Sequence, residues 1–295
     1  MILILGASGY VGKKFQTACQ KKGLAYTAIS RNSFNYYDDG VLDSLLDAFK
    51  PHLVINAAGF TGKPNVEACE TMKDQTILGN IVLPVTIAKA CARHEVVFGH
   101  VSSGCIYDGY SKEFTEDDEP NFCFKTPKHS FYSGTKAQAE ELIRGIQGLK
   151  SYIWRLRIPF DEYASPRNYI TKLLSYPKLV SASNSLSHLQ DFTNACLNSF
   201  VSGVEFGTYN LTNVGHISAK EITEIWTSLR GRKGSVADTK TWDFWPSVEE
   251  FNKVTITPRS NCVLCTDKAA KANLGMRHVR DAITEAIIFY SHQSQ

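Results

Sequence analysis

Apolar residues open the chain in an unbroken run, Ile2-Leu3-Ile4-Leu5, which ends at Gly6-Ala-Ser-Gly9-Tyr-Val-Gly12. From 11 to 22, polar and apolar positions fall at helical spacing, so the first 22 residues predict strand, tight turn and helix. The alternation continues. Strands are predicted over 24–29, 53–56 and 96–101, and helices over 41–49, 81–94 and 131–146. Strands alternating with helices at these intervals imply βαβ crossovers, and therefore a parallel sheet covered on both faces. The predicted fold class is α/β, a doubly wound Rossmann-type sheet over residues 1–158, closed by a further strand at 152–158. Beyond it, Pro159, Pro166 and Pro177 separate short helical pieces, and residues 159–295 read mainly as a smaller substrate-binding part. The two parts are expected to interleave, because 208–212 looks like a strand returning to the main sheet. Ser218-Ala-Lys-Glu221 before an apolar-periodic run is a capping box, a structural signal.

Composition narrows the picture further. With 43% apolar and 21% charged residues over 295 positions, the chain can bury a sizeable core, and disordered or fibrous classes are excluded. The 32 basic and 29 acidic side chains nearly balance with no basic run, so no electrostatic footprint for nucleic acid is present. The opening apolar run is too short for a signal-peptide core, and no later stretch approaches the roughly 20 apolar residues of a membrane span. A soluble, cytoplasmic protein is expected, with no membrane partner. Eight cysteines without an export signal read as reduced thiols.

The glycine triplet Gly6, Gly9, Gly12 between first strand and first helix is where backbone amides and a helix N-terminus hold a pyrophosphate. Ser8, Tyr10 and Val11 share that turn. At the end of the second predicted strand stands Ser30-Arg31-Asn32, where an NAD-selective site would carry an acid; Arg31 can instead pair with a 2′-phosphate, so NADP is favoured over NAD. The small residues of Asn56-Ala57-Ala58-Gly59 would let the chain pass close to a flat cofactor edge. Ser103 closes the next strand, and Tyr132 and Lys136, four apart on a predicted helix, share one face. The ammonium is expected to lower the phenol from its usual value of about 10 toward a working proton donor, with Ser103 hydrogen-bonding the same substrate oxygen. Cys105, two residues from Ser103, is expected on the same side of the strand end, as a proton carrier or as a small core residue.

This ordered set resembles the extended short-chain dehydrogenase/reductases, and within them the 4-keto-6-deoxy-sugar reductases. The closer likeness is to the bifunctional 3,5-epimerase/4-reductases that complete UDP-L-rhamnose synthesis, beside the dTDP-4-dehydrorhamnose reductases. It rests on Asn56-Ala-Ala-Gly-Phe-Thr-Gly-Lys-Pro-Asn-Val-Glu67, Ser103-Gly-Cys-Ile-Tyr107, Phe131-Tyr-Ser-Gly-Thr-Lys136, Pro166-Arg-Asn-Tyr-Ile-Thr-Lys172 and Pro258-Arg-Ser-Asn261, which span nearly the whole chain. Ser103 departs from the threonine of several of these reductases; either hydroxyl serves.

The resemblance implies an NADPH-dependent enzyme that epimerises UDP-4-keto-6-deoxy-D-glucose at carbons 3 and 5 and then reduces carbon 4. It assigns catalysis to Ser103, Cys105, Tyr132, Lys136 and Lys172, with Lys172 paired to the cysteine across the sugar ring. Cofactor contacts fall to Gly6, Ser8, Gly9, Tyr10, Val11, Gly12, Arg31, Asn56, Ala57, Ala58, Tyr132 and Lys136. Substrate contacts fall to Thr61, Asn65, Arg167, Asn168 and Arg259, the arginine forks matching diphosphate oxygens. In plants the same activity lies in a domain fused to a dehydratase, so a separate upstream 4,6-dehydratase is implied; self-association as a homodimer is left open. The rival readings are a pure 4-reductase of an already epimerised dTDP-sugar and a non-catalytic NADP-binding regulatory subunit. No metal is expected: Cys262-x-x-Cys265 lacks further ligands and reads as packing. His100, His129, His188 and His216 read as surface or satisfied core residues.

Overall fold

The computed structural model describes residues 1–230 and 240–290, so part of the region 159–295 lies outside the described residues. Strand β1 (Ile2–Leu5) is buried along its whole length, because it has a strand on either side and both faces covered. Its alternation divides the core. Ile2 and Ile4 face one layer with Phe15, Ala18 and Phe192, whereas Leu3 and Leu5 face the other with Leu42, Leu46, Leu83 and Ile87.

Around β1 the chain lays down α1 (Tyr10–Lys21), β2 (Tyr26–Ile29), α2 (Asp39–Phe49) and β3 (Leu53–Asn56). A continuous helical run follows, α3 (Lys73–Arg93), and then β4 (Val97–Ser103), α4 (Phe131–Arg144) and β5 (Ser151–Leu156). The second half adds α5 (Tyr169–Ser175), α6 (Leu189–Val201), β6 (Gly207–Asn210), α7 (Ala219–Arg230) and α8 (Val279–Ile288). The six strands form one parallel sheet in the order β6-β5-β4-β3-β1-β2. β6 is the returning strand foreseen at 208–212. A further core gathers Phe160, Ile170, Leu179, Ile217, Trp226 and Ile283 beneath α5, α7 and α8. The capping box at the start of α7 is formed: Ser218 Oγ accepts from the Glu221 amide at 3.2 Å, and Glu221 Oε2 accepts from the Ser218 amide at 2.9 Å.

Two elements depart from the sequence expectation. The helix foreseen at 81–94 begins eight residues earlier and contains a wide π turn at Leu78–Val82. By length and composition this 21-residue run is able to cross a membrane, contrary to the reading that no segment approaches a span. In the fold half of it is buried, with Leu83, Ile87, Ala88 and Cys91 on the sheet. The strand foreseen at 152–158 stops at Leu156, because Ile158 takes a left-handed backbone at φ 40°.

Candidate active site

The C-terminal ends of β1, β3 and β4 meet the N-termini of α1 and α4, the switch point at which open parallel sheets bind ligands. At the first turn, Gly6 has φ 82°, and a Cβ there would lie 2.5 Å from the Ala58 amide nitrogen; only glycine lets the two loops touch. A Cβ on Gly12 would fall 2.2 Å from the Gly6 carbonyl oxygen. Gly9 precedes α1 and supplies no side-chain cap, so the first-turn amides of Tyr10, Val11 and Gly12 keep no side-chain partner. Ser8 and Gly9 are exposed above them. This uncapped helix end and glycine cradle fit the pyrophosphate of a dinucleotide.

Tyr10 contributes its amide alone. Its hydroxyl is turned down into a buried cluster beside Asp161, where burial and that carboxylate push the phenol up, and Lys14 pairs with Asp161 at 3.2 Å. Arg31 is exposed past the end of β2, with Nη1 donating to the Tyr37 hydroxyl at 3.4 Å. Its charge also reaches Tyr36, whose hydroxyl bonds to the Gly6 backbone, so the guanidinium stands beside the cradle. Asn56 is fully buried and is a positioning group rather than a cofactor contact: its Oδ1 accepts from the Ala58 amide at 3.0 Å and its Nδ2 lies 3.2 Å from His100 Nδ1. It thereby shapes the Ala57–Ala58 turn.

Ser130 caps α4 in a reciprocal box with Ser133, and the Phe131 amide donates to Glu70 at 2.7 Å, which sets Tyr132 in the first helical turn. Lys136, one turn on, is buried; its Nζ donates to the Val101 carbonyl at 3.0 Å and lies 3.3 Å from His100 Nε2. Burial, opposed by Glu140 and Cys105, brings this ammonium down to about 8. Tyr132 goes the other way from the expectation. Burial and the Cys105 sulfur raise the phenol, and the groups that pull it down are the Ser103 hydroxyl and the Arg167 guanidinium. The lysine Nζ is held by the Val101 carbonyl of β4.

Cys105 also sits differently. β4 ends at Ser103, and Gly104–Ile106 turn into a 3-10 helix in which Ser103 Oγ accepts from the Cys105 amide at 3.2 Å. The turn, rather than strand alternation, brings the thiol to the pocket. Cys105 is half-buried, 3.7 Å from Arg157 Nη1, and within range of both Tyr132 and Lys136. Cys262 lies behind it, fully buried, with Sγ 3.7 Å from the Gly104 carbonyl.

On the substrate side, Arg167 Nη2 donates to the Gly62 carbonyl at 2.5 Å, and Arg259 pairs with Glu67 at 3.0 Å. Both guanidinia act on Lys172: burial first, then Arg167 and Arg259, hold its ammonium below the usual lysine range. Arg167 thus acts on both Tyr132 and Lys172. Thr61 is half-buried in the same loop, and Asn65 Oδ1 accepts from the Glu67 amide at 2.8 Å. Asn168 leaves the set of substrate contacts. It is fully buried as the cap of α5, accepting from the Ile170 amide and donating to Asp161 and Tyr163, so no polar atom remains for a phosphate.

Three residues around the site, Asn80, Glu140 and Arg157, escaped the sequence reading, and His100, read there as a surface or satisfied core residue, is a satisfied core residue. His100 bridges Asn56 and Lys136. Asn80, within the π turn of α3, clamps Phe60 through both its amide and its carbonyl and donates to Thr135. Glu140 accepts from Ser102, Arg144 and Arg155, and burial is outweighed by Arg155 so that its carboxyl is held low. Arg157 is fully buried behind Cys105.

Residues 1–225 match the RmlD substrate binding domain family. The chain belongs to that family. It is 33% identical over 267 residues to a bifunctional dTDP-4-dehydrorhamnose 3,5-epimerase/dTDP-4-dehydrorhamnose reductase of Arabidopsis thaliana, covering 88% of this chain and 83% of that protein. It is 32% identical over 293 residues to a trifunctional UDP-glucose 4,6-dehydratase/UDP-4-keto-6-deoxy-D-glucose 3,5-epimerase/UDP-4-keto-L-rhamnose-reductase of the same plant. That match covers 97% of this chain but 41% of the plant protein, so the chain spans about two fifths of this relative. Among solved structures, a UDP-rhamnose synthase of Acanthamoeba polyphaga mimivirus superposes with a TM-score of 0.86 at 24% identity, over 98% of both chains. The likeness of fold extends over the whole doubly wound sheet and the helices of the second half.

Proposed function

We propose that this member of the RmlD family is an NADPH-dependent enzyme that epimerises UDP-4-keto-6-deoxy-D-glucose at carbons 3 and 5 and reduces carbon 4, giving UDP-L-rhamnose. The observation that carries this reading is the convergence of two sets of groups on one pocket. Ser103 and Tyr132 form a ketone-polarising pair, and Cys105 and Lys172 are two proton carriers coupled to it through direct proximity and through Arg167. A 4-reductase has no need of the second pair.

Gly6, Ser8, Gly9, Val11, Gly12 and the Tyr10 amide would hold the pyrophosphate of NADPH, with Arg31 beside the 2′-phosphate and the Ala57–Ala58 turn along its edge. When bound, the cofactor supplies the hydride for carbon 4. Tyr132 and Ser103 hydrogen-bond the ketone oxygen, which makes the protons on the flanking carbons acidic. The Cys105 sulfur takes a ring proton, the C–H electron pair moves to the oxygen as an enolate, and Lys172 returns a proton from the opposite face. The lowered lysine suits that donation. At the reduction stage Tyr132 gives its proton to the oxygen at carbon 4. The 4-keto substrate requires a 4,6-dehydratase upstream.

Incubating the protein with NADPH and UDP-4-keto-6-deoxy-D-glucose and identifying the sugar by NMR tests this reading. UDP-L-rhamnose is the expected product. Consumption of only a pre-epimerised ketone would reduce the assignment to a 4-reductase, and no NADPH oxidation with either would leave the regulatory reading.

A further inference from the structure

Among the described residues four cations are buried; two have carboxylate partners, and two at the pocket, Lys136 and Arg157, do not, of which only the lysine can shed its charge. Lys14 pairs with Asp161, and Arg155 with Glu140 at 2.7 Å. Arg157, two residues further along the same segment, is completely buried, yet among the described residues no carboxylate lies within ion-pair distance of it. Its partners are the Ser260 hydroxyl at 3.0 Å, the Ser260 carbonyl at 2.8 Å, the Asn184 Oδ1 at 2.5 Å and the Cys105 sulfur at 3.7 Å; Nε has none. All but the sulfur are neutral at any pH. A guanidinium taken out of water without a counter-charge is strongly destabilising, and a group beside it that carries negative charge when the protein works would offset that cost. The charge is felt by its neighbours: it draws the Tyr110 and Tyr169 phenols and the Cys262 thiol down against the burial that raises them.

We propose that Arg157 is a positioning residue for the epimerisation step, its Nη1 donating to the Cys105 sulfur and supplying the positive charge against which that thiol gives up its proton. The inference rests on the epimerase reading above. Solvent reaches the half-exposed sulfur and can take its proton, and a thiolate formed there would stand 3.7 Å from the guanidinium as the missing ion-pair partner. When the thiolate takes a ring proton, the pair is discharged and the negative charge moves to the enolate oxygen at Tyr132 and Ser103. Lys172 then reprotonates the carbon, and the starting state is restored when the thiol loses its proton to solvent and the neutral Lys172 amine takes one from solvent. The Ser260 and Asn184 contacts fix the guanidinium, so the sulfur meets a donor that does not move.

Three variants separate charge from hydrogen bonding and from packing. Arg157→Lys keeps the charge, Arg157→Gln keeps a donor without charge, and Arg157→Met keeps only bulk. Three quantities are measured at pH 7: the rate at which iodoacetamide labels Cys105, followed by mass spectrometry; deuterium uptake from D₂O at carbons 3 and 5; and reduction of the ketone that already has the L-configuration. For the Gln and Met variants, labelling should slow by about tenfold or more, because alkylation consumes the thiolate. Deuterium uptake should fall by about 10² or more, while reduction of the L-ketone stays within a few-fold. Arg157→Lys should recover most of the labelling. If Met disrupts folding, the Lys and Gln pair carries the same comparison. Unchanged labelling in Arg157→Gln, or equal losses in uptake and reduction, would overturn the proposal. Were the wild type to take up no deuterium, the epimerase reading would fail, and the labelling rates would still decide whether Arg157 governs the thiol.

Discussion

The side chains of Lys136 and His100 face each other in the protein interior with Nζ 3.3 Å from Nε2, and the direction of the hydrogen bonds around them fixes their protons. The Ala58 amide donates to Asn56 Oδ1, so Asn56 presents its NH₂ to His100 Nδ1, which must accept. The imidazole therefore carries its proton on Nε2, toward the lysine. An N–H facing Nζ favours a neutral amine, in agreement with an ammonium brought down to about 8 and an imidazole that burial and Lys136 keep well below its usual range.

The reduction rate should accordingly decline as pH rises past about 8, where Lys136 loses its charge. His100→Asn removes the donor that supports the neutral amine, so this falling limb should move to higher pH. Measuring kcat/KM from pH 6 to 10 for both proteins checks it; superimposable profiles would remove His100 from the proton network.

Tyr132→Phe should leave NADPH affinity within a few-fold and reduce turnover of the L-configured ketone by about 10² or more, since the ring still packs while the donated proton is gone. Fluorescence titration and steady-state kinetics give the two numbers. Turnover close to wild type would mean that the proton donor lies elsewhere.

Arg31 stands beside the glycine cradle, donating to the Tyr37 hydroxyl. An arginine–phosphate contact contributes about 1.5–3 kcal/mol, which corresponds to roughly tenfold or greater preference for NADPH over NADH. Arg31→Ala should bring the two dissociation constants together. A ratio that does not change would assign 2′-phosphate recognition to another group.

Cys105→Ala should keep reduction of the L-ketone within about one order of magnitude and lower conversion of the unepimerised substrate by 10²–10⁴, as for loss of a general acid or base. Product NMR in D₂O reads both. Full deuterium uptake in the variant would return the cysteine to a packing role.

Acid stability has a separate signature. Burial opposes ionisation of Glu162, but His188 at 3.3 Å and Lys14 outweigh it and hold the carboxyl at about 2 against an ordinary 4.5. A lowered carboxyl contributes stability that is present above 4.5 and is lost as pH falls toward 2, on the order of 1–3 kcal/mol. Urea midpoints for Glu162→Gln should be lower at pH 6 and converge on wild type in strong acid. Parallel curves would rule the pair out as a contributor.

The parts of this site that were legible in the sequence are those fixed by local rules. The glycine turn needs backbone freedom at fixed offsets, and Tyr132 and Lys136 share a face because a helix repeats every 3.6 residues. Arg157 and Glu140 were not legible, and the reading of His100 as a surface or satisfied core residue did not name its partners, because each works through a partner 15 to 52 residues away on another element. Lys136 was found, but its effect on Tyr132 was misjudged: spacing says nothing about burial, and burial dominates both titrations. Asn168 shows the complementary case, since a residue adjacent to a site in sequence can spend its polar atoms holding the loop that bears it.

The 3-10 turn that presents Cys105 also says when the site comes into being. A Cβ on Gly104 would lie 2.5 Å from Leu264 Cδ1, so the turn is seated directly on a side chain encoded 160 residues later. Leu264 belongs to the short strand Cys262–Leu264, which pairs with Gly109–Phe114 just past the turn. A nascent chain emerging from the ribosome would have its sheet strands, Tyr132 and Lys136 long before it had the floor under its cysteine. The seat of this thiol is thus laid down late in synthesis, after the glycine turn has had time to form.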